Sequence, residues 1–233
     1  MKLFLIPTPI GNLEDITLRA IRLLKEVDFI LCEDTRTTKN LLNHYDIKDK
    51  KCYSYHIHNE HQQLEHLVKQ IKAVNAVALT TDAGTPGISD PGFLLIRECL
   101  NQGVAVECLP GATAFVPALI NSGLPAHSFY FHGFLPHKKG KETLLKRLAL
   151  MDETVIFYES PHRLVKTLTM MLPFFGEERP VSVARELTKM FEENFRGTLA
   201  EAIEHFATGT VKGEIVVVVG PATKSDNKSD NPL

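Results

Sequence analysis

Residues 79–93 read Leu79-Thr80-Thr81-Asp82-Ala83-Gly84-Thr85-Pro86-Gly87-Ile88-Ser89-Asp90-Pro91-Gly92-Phe93, an apolar run that empties into a loop of small residues and two carboxylates. Val77, Ala78 and Leu79 have the character of the end of a buried strand, and residues 93–100 have the spacing of an amphipathic helix. A strand, loop and helix in this order constrain a chain to an α/β architecture when the unit recurs. It does recur. Residues 2–6 form an apolar start that breaks at Pro7-Thr8-Pro9-Ile10-Gly11-Asn12-Leu13, and residues 15–24 then take helical spacing with Asp15 near their start. Residues 29–32 run into Glu33-Asp34-Thr35-Arg36-Thr37-Thr38-Lys39, which suits the ligand edge or else a solvated helix cap, and residues 104–109 run into Pro110-Gly111-Ala112-Thr113-Ala114 ahead of an apolar helix. This pattern predicts a largely parallel sheet with the loops along one edge, where open α/β sheets bind ligands. The loop at Asp82 is the first candidate for a ligand cradle, and a turn that uses Gly and Pro only for geometry is the competing reading. It is neither a dinucleotide fingerprint nor a phosphate loop, since it lacks Gly-x-Gly-x-x-Gly and a Gly-Lys-Ser/Thr ending.

The rest of the chain predicts a second domain. With 233 residues, 44% of them hydrophobic, the protein suits one large or two small domains. A turn-rich stretch at residues 121–127 suggests an N-terminal α/β domain over 1–122, a linker over 123–127 and a C-terminal α/β domain over 128–221. In the latter, strands are expected at 128–134, 154–158, 181–185, around Phe195 and at 214–219, with helices near 142–150, 162–172 and 199–206, giving a more mixed sheet. The polar tail, residues 222–233, is expected to be disordered. No apolar run approaches a membrane span and the first residues are too short for a signal peptide, so a soluble, cytoplasmic protein is expected. Cys32, Cys52, Cys99 and Cys108 lack C-x-x-C spacing, and reduced core thiols are the expectation.

A formal net charge of −2 argues against nucleic-acid binding by the whole surface. Any such contact must be local, and the dense basic segment is His137-Lys138-Lys139-Gly140-Lys141-Glu142-Thr143-Leu144-Leu145-Lys146-Arg147. Its cations suit nucleic-acid phosphates, or else form an ordinary solvated helix face. His56, His58 and His61 have a spacing that invites a metal, but structural zinc sites use four ligands and no metal is expected.

Six segments stand in a fixed order: Thr8-Pro9-Ile10-Gly11-Asn12-Leu13-Glu14-Asp15-Ile16-Thr17, Glu33-Asp34-Thr35-Arg36, Asp82 to Gly92, Leu109-Pro110-Gly111-Ala112, Phe157-Tyr158-Glu159-Ser160-Pro161-His162-Arg163-Leu164 and Ala184-Arg185-Glu186-Leu187-Thr188-Lys189. Together they resemble the tetrapyrrole methylase superfamily, and within it the bacterial enzymes that methylate cytidine 2′-oxygens of 16S rRNA. The resemblance implies two α/β domains, a parallel N-terminal and a mixed C-terminal sheet, with S-adenosylmethionine in the cleft between them. It implies cofactor contacts from Pro9, Asp82, Ala83, Gly84, Thr85, Pro86, Ile88, Ala112, Thr113, Ala114, Tyr158, Glu159, Ala184, Arg185, Gly213 and Glu214. Catalytic candidates are Glu186, Arg185, Lys189 and Glu159, with Asp34 and Arg163 also within matched segments; a structural ion-pair network is the competing reading. Arg36, Lys138, Lys139, Lys141 and Arg163 are the candidate RNA contacts. The implied activity is 2′-O-methylation of a cytidine in the decoding region of 16S rRNA in the small subunit, by a homodimer. A tetrapyrrole C-methyltransferase and a non-catalytic RNA-binding module are the alternatives.

Overall fold

The computed structural model describes residues 1–56 and 60–222, the side chains of 60–63 excepted. His58, the side chain of His61 and the tail from 223 onward lie outside the described residues. The chain divides into two compact units, Met1–Thr113 and Ala114–Leu233.

The first unit runs β1 (Lys2–Leu5), α1 (Leu18–Glu26), β2 (Phe29–Cys32), α2 (Thr35–His44), β3 (Cys52–Ser54), α3 (Glu60–Lys72), β4 (Ala76–Thr80), α4 (Phe93–Asn101) and β5 (Ala105–Cys108). Its five strands are ordered β3-β2-β4-β1-β5, and every neighbouring pair is parallel. Strand alternation sends side chains to two separate cores. Leu3, Leu5, Leu31, Val77 and Leu79 pack with Leu67, Val68 and Ile71 of α3 and Leu95 and Cys99 of α4. Ile6, Ile30, Cys32 and Ala78 pack with Ala20, Leu23 and Leu24 of α1 and Leu42 of α2. Burial on both faces explains why β2 and β4 read as unbroken apolar runs. All the carboxyl ends share one edge, as the sequence pattern predicts. The connections leaving the neighbours β2 and β4 run outward in opposite directions, to β3 and to β5, over opposite faces, so that edge opens between these two strands, where doubly wound sheets place ligands.

The second unit contains α5 (Phe115–Ser122), β6 (Phe129–Phe134), α6 (Lys141–Ala149), β7 (Thr154–Glu159), α7 (Leu164–Phe175), β8 (Pro180–Arg185), β9 (Glu193–Thr198), α8 (Leu199–Ala207) and β10 (Ile215–Val219). The strands are ordered β6-β7-β10-β8-β9. Only β6 and β7 are parallel, and the remaining pairs are antiparallel. Central β10 is buried throughout, as its run of Ile and Val requires. Ile215, Val217 and Val219 join α6, α7 and α8 in one core, and α5 packs along β8 and β10. Because Ala118 and Leu119 of α5 are buried, this helix belongs to the second sheet, ahead of the turn-rich stretch that the sequence suggested as the boundary.

Three elements had no counterpart in the sequence pattern. α2 is polar, β3 is a three-residue strand, mostly exposed, at the sheet edge, and α3 follows the histidine-rich segment. Cys32 and Cys99 are buried, Cys52 is half-buried, and Cys108 is exposed at the end of β5; all four are free thiols.

Candidate functional site

The edge loops of the first unit are stitched together around residues 81–85. Thr8 and Gly84 exchange both backbone hydrogen bonds at 2.9 Å, and the Thr8 hydroxyl donates to the Thr81 carbonyl at 3.0 Å. The Thr85 hydroxyl donates to the Ala112 carbonyl at 3.0 Å. The Asp34 amide donates to the Asp82 carboxylate at 3.2 Å. The loop after β4 is thereby braced to those after β1, β5 and β2. Gly84 has φ +86°, and a Cβ there would stand 3.6 Å from Ile10 Cγ2 and 3.9 Å from the Ala112 carbonyl oxygen. At Gly111 a Cβ would lie 2.6 Å from the Pro7 ring. Glycine is therefore required at 84 by its backbone angle and at 111 by the close approach of the loops after β1 and β5. Pro9 and Pro86 are buried, while Ala83, Thr85, Ile88, Ala112 and Thr113 are half-buried along the same edge.

Three carboxylates border this edge. The Arg36 guanidinium, 2.6 Å from Asp34, holds that carboxyl down to about 2. Burial, followed by the charge of Asp82, raises Glu33, and burial likewise raises Asp82. Asp34 also caps α2, accepting from the Arg36 amide at 2.7 Å. Backbone amides and carbonyls reached past missing side chains, with anionic carboxylates beside them, make a donor set suited to a small molecule carrying hydroxyls and positive charge. Among the described residues no group of His, Cys, Asp and Glu could hold a metal.

In the second unit, Glu186 and Lys189 do meet. Glu186 Oε1 accepts from Lys189 Nζ at 2.9 Å and from the Glu214 amide at 2.9 Å, and Lys189 Nζ also reaches Glu214 Oε2 at 3.1 Å. The hydrogen bonds from Lys189 and the Glu214 amide hold Glu186 below the ordinary carboxylate range. Burial alone would lower Lys189, but its bonds to Glu186 and Glu214 outweigh that and raise it. Gly213 makes room for this arrangement, because a Cβ on it would fall 2.3 Å from the Glu186 carboxyl carbon. Arg185 turns elsewhere, donating to Glu193 at 2.9 Å and to the Lys212 carbonyl at 3.2 Å. Glu193 in turn pairs with His205 at 2.7 Å. Glu186 at φ 51° and Thr188 at φ 65° both occupy the left-handed region that side chains disfavour, a form of strain that functional turns often carry.

Glu159 and Lys141 are corrected by their surroundings. The Glu159 side chain is fully buried, accepting from Lys141 Nζ at 3.3 Å, Thr167 at 2.6 Å, Arg163 at 2.7 Å and the Ser160 amide at 2.8 Å. A carboxylate so saturated has nothing left to offer a reacting group, and its role is to join β7 to α6 and α7. Lys141 is 4% exposed and donates to Thr167 at 2.6 Å, so a phosphate-facing role for it is withdrawn. Lys138 and Lys139 are exposed. Arg163 divides between Glu159 and His137 Nδ1, the latter at 3.1 Å. Tyr158 is half-buried, edge-on to Phe131 and Phe134, Ala184 is buried within β8, and Ala114 caps the start of α5. Sequence reasoning missed Thr167, Glu193 and the reason for Gly213, all of which depend on pairing between distant segments.

Residues 2–203 match the family described as Tetrapyrrole (Corrin/Porphyrin) Methylases. Proteins named Ribosomal RNA small subunit methyltransferase I are similar throughout. The one from Synechocystis sp. is 48% identical over 97% of this chain and 81% of its own length. The one from Halalkalibacterium halodurans is 51% identical over 93% of this chain and 75% of its own. Among solved structures, a uroporphyrin-III C-methyl transferase from Thermus thermophilus complexed with S-adenyl homocysteine superposes with a TM-score of 0.66, at 23% identity, over 94% of this chain and 97% of that one.

Proposed function

The chain belongs to the tetrapyrrole (corrin/porphyrin) methylases, and from that premise we propose that it transfers a methyl group from S-adenosylmethionine to the 2′-hydroxyl of a cytidine in the decoding region of 16S rRNA. The observation that carries the RNA reading is the 48–51% identity, along nearly the whole chain, to proteins named for methylation of small-subunit ribosomal RNA. The braced edge of the first unit supports the cofactor. Pro9, Asp82 to Pro86, Ile88, Ala112 and Thr113 offer backbone groups, and Glu33, Asp34 and Asp82 offer negative charge toward an ammonium and a sulfonium. In the second unit, Ala114, Tyr158, Ala184, Arg185, Gly213 and Glu214 are assigned to the same ligand by resemblance.

S-adenosylmethionine supplies an activated methyl group on positively charged sulfur, so alignment of the acceptor is the main task left to the protein. Glu186 is an ionised acceptor at neutral pH. With its basicity lowered by Lys189 and the Glu214 amide, it orients the 2′-hydroxyl through a hydrogen bond more than it removes the proton early. Lys189 places a cation next to that oxygen, where negative charge develops. Lys138, Lys139 and Arg36 are the exposed cations assigned to phosphate. A net charge of −2 gives little grip on free RNA, which favours an assembled or partly assembled small subunit as the substrate of a cytoplasmic homodimer. The deciding experiment incubates unmodified small subunits with methyl-labelled donor and identifies the labelled nucleoside by mass spectrometry. Label in 2′-O-methylcytidine is expected; label on a base, in a tetrapyrrole or nowhere overturns the proposal.

A further inference from the structure

The turn that follows β8 carries two large apolar side chains into water. Met190 is 90% exposed and Phe191 69% exposed, although the turn bearing them is firmly held. Leu187 is buried, the Lys189 amide donates to the Glu186 carbonyl at 3.0 Å, and the Glu192 amide donates to the Lys189 carbonyl at 3.1 Å. The Thr188 amide donates to the Glu192 carboxylate at 2.7 Å. Left-handed backbone at Glu186 and Thr188 completes the geometry. A turn braced in this way, which carries strain and still leaves an aromatic ring outside, is shaped to present that ring.

Its neighbours indicate what the ring meets. Glu186, Glu192, Glu193 and Glu214 surround the turn and outnumber the nearby cations Arg185, Lys189 and Lys212, of which Arg185 and Lys189 are already paired with carboxylates. Such surroundings repel phosphate and leave an uncharged, flat, polarisable surface as the fitting partner. Unstacked nucleobases are that kind of surface, and proteins that recognise single-stranded RNA stack them on aromatic side chains. An enzyme acting on one nucleotide of folded RNA also gains from holding the base out of its helical stack.

Resting on the function proposed above, we propose that Phe191, with Met190 beside it, is a stacking platform for an unstacked base of the RNA substrate, next to Glu186. The chain contains no tryptophan, so Phe191→Trp installs a single indole at the platform. Its fluorescence should be quenched on saturation with unmodified small subunits, and quenching should stay absent with subunits stripped of RNA. In kinetics, Phe191→Leu keeps the apolar bulk and loses the π face. Its kcat/KM should fall by roughly 5- to 150-fold, the range expected for one lost base stack, with Phe191→Trp falling less and donor affinity unmoved. Methylation at the parental rate by Phe191→Leu, or an unquenched indole at saturation, overturns the platform and leaves the methyltransferase reading intact. Dissociation of an oligomer by Phe191→Leu overturns it in favour of a protein interface. Quenching by RNA in a protein that methylates no RNA keeps the platform and removes the proposed reaction.

Discussion

Gly213→Ala tests how the Glu186 carboxylate is held. The new methyl would fall 2.3 Å from both the carboxyl carbon and Oε1 of Glu186, at a residue with φ +88°. Relief requires Glu186 to leave Lys189 and the Glu214 amide. Left-handed backbone on a non-glycine residue costs about 1–2 kcal/mol. Two charge-assisted hydrogen bonds are worth about 1.5–3 kcal/mol each when fully formed, and partial exposure of Glu186 and Lys189 reduces their joint loss to about 2 kcal/mol. The expected total is roughly 3–4 kcal/mol. Gly123→Ala is the matched control, because Gly123 has φ +71° in the same unit and a Cβ there would meet nothing within 4 Å. It should lose only the backbone term. Urea unfolding of the two variants, repeated in a Glu186→Ala background, isolates the steric part by a double-mutant cycle. With the carboxylate removed, Gly213→Ala should cost no more than Gly123→Ala. Equal destabilisation of the two glycine variants in the parent protein would refute the argument, because the carboxylate would then be free to move aside without loss.

Gly84→Val should keep the protein folded while lowering S-adenosylmethionine affinity at least tenfold by calorimetry, since a branched side chain is strained at φ +86° and adds bulk beside Ile10 and the Ala112 carbonyl; unchanged affinity removes this edge from the cofactor site. Replacing Lys138 and Lys139 by Ala should make the slope of log affinity against log salt shallower by roughly 0.7 per lysine. Lys141→Ala should leave that slope alone and destabilise the fold by about 1–3 kcal/mol, because the buried Glu159 carboxylate loses one of its two cations and keeps Arg163; both parts are read from salt titrations and urea unfolding. For pH, Glu186 and Glu193 have pKa values lowered on folding, so their stabilisation is full above the ordinary carboxylate value of 4.5 and is lost as pH falls through the lower folded values. Lys189 is raised, so its contribution is present below 10.5 and is lost as pH rises through its folded value; in a Glu186→Gln, Glu193→Gln protein the acid limb of the stability curve should flatten. Light scattering should report a dimer at assay concentration, and a monomer would contradict the proposed homodimer.

The parallel strands of the first unit were legible because burial on both faces leaves unbroken apolar runs such as Phe29 to Cys32. Strand β3 was not, because three mostly exposed residues carry neither a run nor an alternation. The Glu33 to Lys39 segment offered a helix cap as its second reading, and Asp34 does cap a helix there, while a string of threonines hid the helical period that follows. At the site, proximity of Glu186 and Lys189 follows from their spacing of three within one turn. The Glu159 network links residues 141, 159, 163 and 167 across a strand and two helices, and no local rule reports such a meeting. One signal was nonetheless available: Lys141, Leu145 and Leu148 fall at i, i+4 and i+7, which is the buried face of α6.

The burial of Lys141 also changes what its exposed neighbours can do. His137 is fastened to Arg163, and Lys141 is fastened to Glu159, so Lys138 and Lys139 lie on a short span tethered at both ends. Two lysines on a free tail would lose much of their conformational freedom on meeting a polyanion, and they would meet any phosphate array equally well. On a tethered span the backbone share of that entropy has already been lost during folding, and the points from which the two charges extend are set before the encounter. In the RNA-binding role proposed for it, such a span would work as a ruler, favouring phosphates whose separation it matches and discriminating among folded RNA surfaces by shape, without reading a base.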